Sequence, residues 1–393
     1  APASGFMKPG RGYASEASLE NSSVHEIRFE GKPNNGNIFE DLHYHDDTDM
    51  DNDFNLIGNP YPSAIDIELF FDENNAVIDP VVYLWTHSTP LSTETGDYSF
   101  NDYATYNRTG GTGVGNGPVP AKNIGSSQGF LVRAIKEDRI VFKNSMRLKD
   151  SNDLFFKRLN DKTKRNSPEK DRIWLNLTTN KGGFNQLLIG FVNEASTDYD
   201  RGYDALKNQS ANKIGFYTTL NENKLAIQAL SAFSSSQKVN LGFDTRIDNR
   251  TYTISIANTE GKLKRAEIIL FDHYLGVSHN LKEGDYSFVQ NEKGVFPDRF
   301  SLSLIANIEE VTEQVNEKEE VVISNRGNRF TVRSESKLHR FRMYDLLGRM
   351  LLNYYPDDIY FEVNNRESKK GEVLYVEIIH EDLAVTRKKI YKR

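Results

Sequence analysis

Between Asp46 and Asp53 the chain reads Asp-Asp-Thr-Asp-Met-Asp-Asn-Asp, its densest run of carboxylates. Asp47, Asp49, Asp51 and Asp53 alternate, so a folded-back loop would converge several hard oxygen ligands, the chemistry of a calcium site. The run is not an EF-hand: Asn52 stands where the loop glycine belongs, and position twelve is Gly58 rather than glutamate. His43 and His45 precede it at i, i+2, a spacing that also admits a transition metal. The plainer reading is a solvated acidic loop. A second constellation is aromatic. Trp85, Tyr98, Tyr103 and Tyr106, with Asn101, Asp102 and Asn107 close by to supply hydrogen bonds, combine ring faces and polar groups in a way suited to sugar rings. The competing reading is that clustered aromatics in a β-protein build core.

Other motifs exclude chemistry. Gly110 to Gly117 is glycine-rich but lacks the Gly-Lys-Ser/Thr ending of a P-loop, and no strand-to-helix switch surrounds it. Eight histidines are scattered, and no His-Glu-x-x-His, Ser-His-Asp set or paired glycosidase carboxylates can be picked out. There are no cysteines, which removes disulfides, thiolate nucleophiles and thiolate metal sites. The expectation is a chain that is not an enzyme, any catalytic domain lying upstream of it. Asn59-Pro-Tyr-Pro62 reads as rigid turn chemistry, with Tyr61-Pro62 a candidate cis bond.

The elements that must position these residues are strands. Aromatics make up 11% of the chain, and Gly, Asn, Ser and Thr punctuate short alternating runs, which favours an all-β protein. In residues 1–168 the runs are 24–29, 54–57, 81–85 and a hairpin of 129–134 with 139–142. One short helix is expected over Ala64–Phe71, capped by Ser63. In residues 169–308 eight runs follow: 172–178, 184–192, 214–218, 225–229, 252–256, 266–272, 286–289 and 300–304. Their spacing suggests a sandwich. An acidic linker at 309–319 leads to residues 320–393, where seven strands in 74 residues suggest a compact Ig-like sandwich. The predicted architecture is therefore tandem antiparallel β-sandwiches ending in a small seven-stranded one.

Charge divides along the same line. From Lys318 to Arg393 there are 16 basic and 12 acidic residues, so the rest of the chain carries −11 of the net −7. An acidic body lacks the basic footprint of a nucleic-acid binder. No run approaches the ~18 apolar residues of a membrane helix. The start, Ala1-Pro-Ala-Ser-Gly-Phe-Met7, lacks the charged and apolar regions of a signal peptide, which suggests a portion of a longer polypeptide.

The tail resembles the C-terminal sorting domain of proteins exported by the type IX secretion system of Bacteroidota. Tyr344-Asp-Leu-Leu-Gly-Arg349 is similar to that family's Tyr-Asp, two residues, Gly-Lys/Arg hairpin. Lys370-Gly371 with Tyr375 resembles its late Gly-to-Tyr element, and Lys388-Lys389-Ile390 its terminal basic strand. Ser324-Asn-Arg-Gly327 replaces the family's usual Asn-Pro pair, and Glu-Val-Leu lengthens the Gly371-to-Tyr375 spacer. The body resembles the region preceding such tails in large flavobacterial surface proteins. The segments that carry this are Leu56–Ile65, Tyr103–Asn107, Ser127–Phe130, Phe142–Arg147, Arg172–Leu177 and Asp298–Leu302. The resemblance implies a secreted, surface-attached adhesion or presentation module, of a kind linked to gliding motility. It implies Tyr344, Asp345, Gly348, Arg349, Gly371, Tyr375, Lys388 and Lys389 as the sorting residues. Its implied partners are the type IX outer-membrane translocon, shuttle and sortase components, with surface glycans or other adhesion targets for the body. The alternative reading is the carbohydrate-binding region of a secreted glycan-degrading enzyme. No cofactor is required by either; Ca2+ at the acidic run is the leading candidate.

Overall fold

The computed structural model describes residues 6–14, 30–45, 53–86, 103–114, 119–149, 170–207, 213–233, 236–306, 321–366, 368–381 and 385–392. The expected strand at 24–29 and the acidic linker lie outside them. Strands take 56% and helix 5%, so the all-β expectation is met. The chain divides into two compact units. Unit 1 comprises Ala1–Ala232, Gly242–Glu260 and Ser287–Pro297; unit 2 comprises Phe233–Leu241, Gly261–Tyr286 and Asp298–Arg393.

The first part of unit 1 contains β1 (Ile38–Asp41), β2 (Phe54–Gly58), β3 (Ile65–Asp66), α1 (Ile67–Asn74), β4 (Val82–Trp85), β5 (Tyr103–Tyr106), β6 (Gly111–Thr112), β7 (Asn123–Ile124), β8 (Gly129–Arg133) and β9 (Arg139–Phe142). A five-stranded sheet runs β2-β8-β4-β5-β6, flanked by the pairs β1-β9 and β3-β7. Helix α1 buries Ile67, Phe70, Phe71 and Asn74, the i, i+3, i+4, i+7 face of one helix. Phe70 lies 5.1 Å from Phe142 and edge-on to Phe130 at 5.7 Å. The helix starts three residues later than expected. Ile65 and Asp66 are drawn into pairing with Ile124 and Asn123, so Asp66 rather than Ser63 accepts the Glu68 amide at 2.9 Å.

Strands β8 and β9 do not form the expected hairpin. β8 pairs with β2 and β4, whereas β9 pairs with β1. Their connection is held elsewhere: Ala134 N–H donates to Asp53 O and Ile135 N–H to Val77 O. The Asn59–Pro62 turn is built from trans peptides, since no cis bond occurs among the described residues. Asn59 Nδ2 donates to the carbonyls of Ser63, Ile124 and Gly125, and buried Tyr61 donates its hydroxyl to Gly36 O at 2.6 Å. These bonds fix the turn without needing an isomer switch.

The second series is β10 (Asp171–Thr179), β11 (Phe184–Phe191), β12 (Ala205–Leu206), β13 (Ile214–Leu220), β14 (Asn223–Leu230), β15 (Ser236–Thr245), β16 (Arg250–Glu260), β17 (Glu267–Asp272), β18 (Val277–Asn280), β19 (Tyr286–Gln290) and β20 (Gly294–Ile305). In unit 1 the order is β13-β14-β11-β10-β16-β19; in unit 2, β18 and β17 continue to β20. β11 and β14 pair in parallel, an exception to the antiparallel expectation. β10 is buried on both faces: Ile173, Leu175 and Leu177 on one, and Trp174 on the other against Val81, Tyr83, Leu188, Ala205 and Ile227. Because Val81 and Tyr83 share that cluster with Trp174 and Leu188, the two sides of position 168 have a common core. Compaction therefore does not follow the expected division between residues 168 and 169.

The tail holds β21 (Val322–Arg326), β22 (Arg329–Tyr344), β23 (Met350–Tyr354), β24 (Asp358–Asn364), β25 (Val373–His380) and β26 (Val385–Tyr391). Six strands stand where seven are expected, because 329–334 and 337–345 are one continuous strand. Register shifts near Leu338 bend β22, so its first half pairs with β21 and β24 and its second with β23 and β25. Phe330, Val332, Leu338, Phe341, Met343, Phe361, Leu374, Val376 and Ile378 fill the space between the layers. Within unit 2 this sandwich also packs on β17 and β20, where Ile269, Ile305, Tyr355 and Ile379 form one cluster. Arg340 and Arg342 reach Glu267, the second at 3.5 Å, and Lys238 meets Asp357.

Candidate functional site

Alternation along β25 and β26 sends Leu374, Val376 and Ile378 inward and Tyr375, Glu377 and Ile379 outward. The outward positions form rows across the strands. At one end Arg340, Ile379 and Val385 are taken up by the packing within unit 2. In the middle Glu377 accepts from Arg342 at 3.0 Å and Arg387 at 3.1 Å. At the far end Tyr344 is opposite Tyr375, which is opposite Lys389. Tyr375 is 46% exposed, Tyr391 59% and Met350 51%, so this end is an open apolar and aromatic surface with Lys389 in its row.

The Tyr344–Arg349 turn stands at the same end. Asp345 Oδ1 accepts the amides of Leu347 and Arg349, both at 2.9 Å, and its Oδ2 meets Arg349 Nε at 3.1 Å. Partial burial raises the Asp345 carboxyl, but those two amides and the guanidinium outweigh it and hold the group below the usual carboxylate range. Gly348 closes the turn at φ +78°, a left-handed conformation that disfavours any side chain. The turn lifts Leu346 and Leu347, 63% and 94% exposed, to its tip. Composition gives no warning of this: two leucines in a strand-rich sequence read as core.

The expected sorting residues thus separate by role. Tyr344, Asp345, Gly348, Arg349, Tyr375 and Lys389 come together at the open end. Lys388 does not. It is opposite Val376, on the inward side of β26, and its ammonium donates to the Val321 carbonyl. Gly371 sits at φ +86° in the turn before β25, where its amide donates to Lys392 O at 2.9 Å.

Among the described residues, the expected aromatic set is divided between two faces of its sheet. Trp85 and Tyr103 are cross-strand partners with rings 4.9 Å apart, edge to face. Tyr106 is three residues from Tyr103 and so faces the opposite side of β5, buried in the core with Val82, Leu84 and Phe130. Its hydroxyl donates to Glu68 Oε1 at 3.2 Å, and burial, then Glu68, pushes its pKa up. Tyr98 lies outside the described residues. So do Asp47, Asp49 and Asp51. Asp53 is buried and already accepts the His45 amide at 2.9 Å, and Asn55 clamps both backbone groups of His43. No group of three His, Asp or Glu side chains is placed to hold a metal ion among the described residues.

Residues 1–304 match the model of a family described as a domain of unknown function (DUF8693). The chain belongs to the DUF8693 family. The matched region stops short of β21, so the family's extent and the tail sandwich are distinct parts of the chain. No curated protein matches it. Among solved structures, β-glucuronidase from Ruminococcus gnavus in its apo form aligns over 37% of this chain and 36% of that one, at 14% identity and a TM-score of 0.15. The same enzyme with uronic isofagomine gives 15% identity over the same shares and the same score. The chain spans about a third of the length of these structures, and a score of 0.15 carries no argument about fold or activity.

Proposed function

We propose that residues 320–393 are an export address of the type IX secretion kind and that the DUF8693 region is the cargo it delivers, a secreted module for adhesion or presentation at the cell surface. The observation that carries this reading is the open end of the tail. The motif residues Tyr344, Tyr375 and Lys389 share one row of an exposed sheet face, beside a rigid turn with two solvated leucines. Exposed apolar side chains rimmed by charge mark a recognition surface. A folded address read by a translocon needs such a surface and no catalytic group. The other end of the face is occupied by packing within unit 2, which leaves Tyr344 to Arg349 as the part a shuttle or sortase component would meet.

The test is a reporter carrying residues 320–393, expressed in a type IX-competent strain. Surface display is expected, and Leu347→Asp and Tyr375→Ser should each block it while leaving the melting temperature of the fusion unchanged. Periplasmic retention of the unaltered fusion would sink the reading.

A further inference from the structure

Unit 1 contains a cleft of about 750 Å3 that none of the expected sites includes. This volume is within the ~300–1,000 Å3 range of small-molecule sites. Trp174, Tyr106, Val119 and Pro120 are among its apolar lining, and Glu68, Lys122, Lys170, Arg172 and Glu260 form its polar lining. Ala257 and Asn258 stand exposed at the rim.

The charges are matched. Arg172 donates through Nε and Nη2 to Glu260 Oε2 at 2.8 and 2.6 Å, and stacks over Trp174 at 5.0 Å. Lys122 Nζ meets Asp66 Oδ2 at 2.9 Å. Three carboxylates, Asp66, Glu68 and Glu260, therefore balance Lys122, Lys170 and Arg172. An anion would face Glu68 and Glu260, and a cation would face Lys122 and Lys170, so neither finds net attraction. Hydrogen-bonding capacity remains. Glu68 Oε1 takes the Tyr106 hydroxyl and Glu260 Oε2 takes Arg172, so the second oxygen of each carboxylate has capacity for a ligand donor. Lys170 Nζ donates to Arg108 O at 2.8 Å. Burial, then Arg172, lowers its pKa, as expected of an ammonium short of solvation.

A peptide strand is disfavoured. β6 is the edge of its sheet at this cleft, but Trp174 Nε1 occupies Gly111 O at 2.7 Å and Gln186 Oε1 takes the Gly113 amide at 2.8 Å. Both backbone groups an added strand would use are taken by side chains.

We propose that this cleft binds a neutral saccharide, its hydroxyls shared between the carboxylates of Glu68 and Glu260 and the ammonium of Lys170, close to Trp174. Hydroxyls both donate and accept, which suits a lining that offers both and whose charges cancel once Asp66, paired with Lys122, is counted. This assignment holds independently of how the tail is read.

The chain has two tryptophans, so Trp85→Phe leaves Trp174 as the sole indole reporter. The full chain with that change would be titrated with neutral hexose oligosaccharides and, in parallel, with uronic and sulfated ones. At least one neutral sugar should shift Trp174 emission, with a Kd unchanged between about 0.05 and 0.5 M NaCl. Glu68→Gln and Lys170→Met should each weaken binding about tenfold or more at an unchanged melting temperature. If Lys170→Met does not fold, Glu68→Gln decides alone. No neutral sugar bound by fluorescence or saturation-transfer NMR, affinity untouched by Glu68→Gln, or binding only of charged sugars with steep salt dependence would each overturn the proposal.

Discussion

Single residues in this chain act mostly by holding backbone. Gly348 is required by φ +78° in the turn that displays Leu346 and Leu347. Gly348→Val should destabilise the tail by about 1–2 kcal/mol, the cost of a left-handed side-chain-bearing residue, read as an earlier urea midpoint. An unchanged midpoint would mean the turn relaxes without strain. Asp204 is a second case. It is fully buried, and burial pushes its carboxyl up to about 6, although the amides of Ala229 and Asp200, both at 2.7 Å, favour the charged form. A folded pKa above the unfolded value means the native state binds the extra proton. Stability from this group is thus greatest at low pH and falls as pH rises through the window from about 4 to about 6, by on the order of 3 kcal/mol. Above that window it is flat. Comparing denaturation of the natural chain with Asp204→Asn at pH 4 and pH 7 isolates the effect, and an identical difference at both values would refute it.

At the scale of elements, packing sets what local pattern leaves open. α1 is held by Phe70 between Phe130 and Phe142, so Phe70→Ala should cost about 3–5 kcal/mol in chemical denaturation, with a loss of near-ultraviolet signal from the first part of unit 1. A cost near zero would show that the helix is peripheral. Strand alternation was legible where apolar residues recur at every second position, as in 172–178 and 373–379. Ser236–Thr245 carries the same alternation in buried Val239, Leu241 and Phe243, yet is absent from the expected strands. The hairpin expected at 129–142 failed because proximity in sequence favours pairing only when no other edge competes. β2, β4 and β1 supply those edges.

Over the whole molecule, the tail belongs to a unit larger than itself. Ile269 and Ile305 of β17 and β20 are covered by Tyr355 and Ile379 within unit 2. Ending the chain at residue 306 should therefore speed hydrogen exchange of the amides at 267–272 by at least about tenfold, as uncovered apolar surface lowers the local opening energy. Unaltered protection would show that the packing contributes nothing. The cut would also uncouple Glu267 from Arg340 and Arg342, whose ion pairs tie β17 to β22 within unit 2.

The sequence by itself determined the all-β class, the punctuated strands, the glycine turns and the motif order of the tail. Each depends on residues near one another in the chain, through φ/ψ preference and two-residue periodicity. Only the tertiary structure decided which side chains meet. It decided which of two alternating faces is core, burying Tyr106 rather than Tyr103 and turning Lys388 rather than Lys389 inward. It brought Glu68, Lys170 and Glu260, far apart in sequence, to one cleft. Such meetings are fixed by strand register and by buried apolar area summed over the unit, and neither is a property of any local segment.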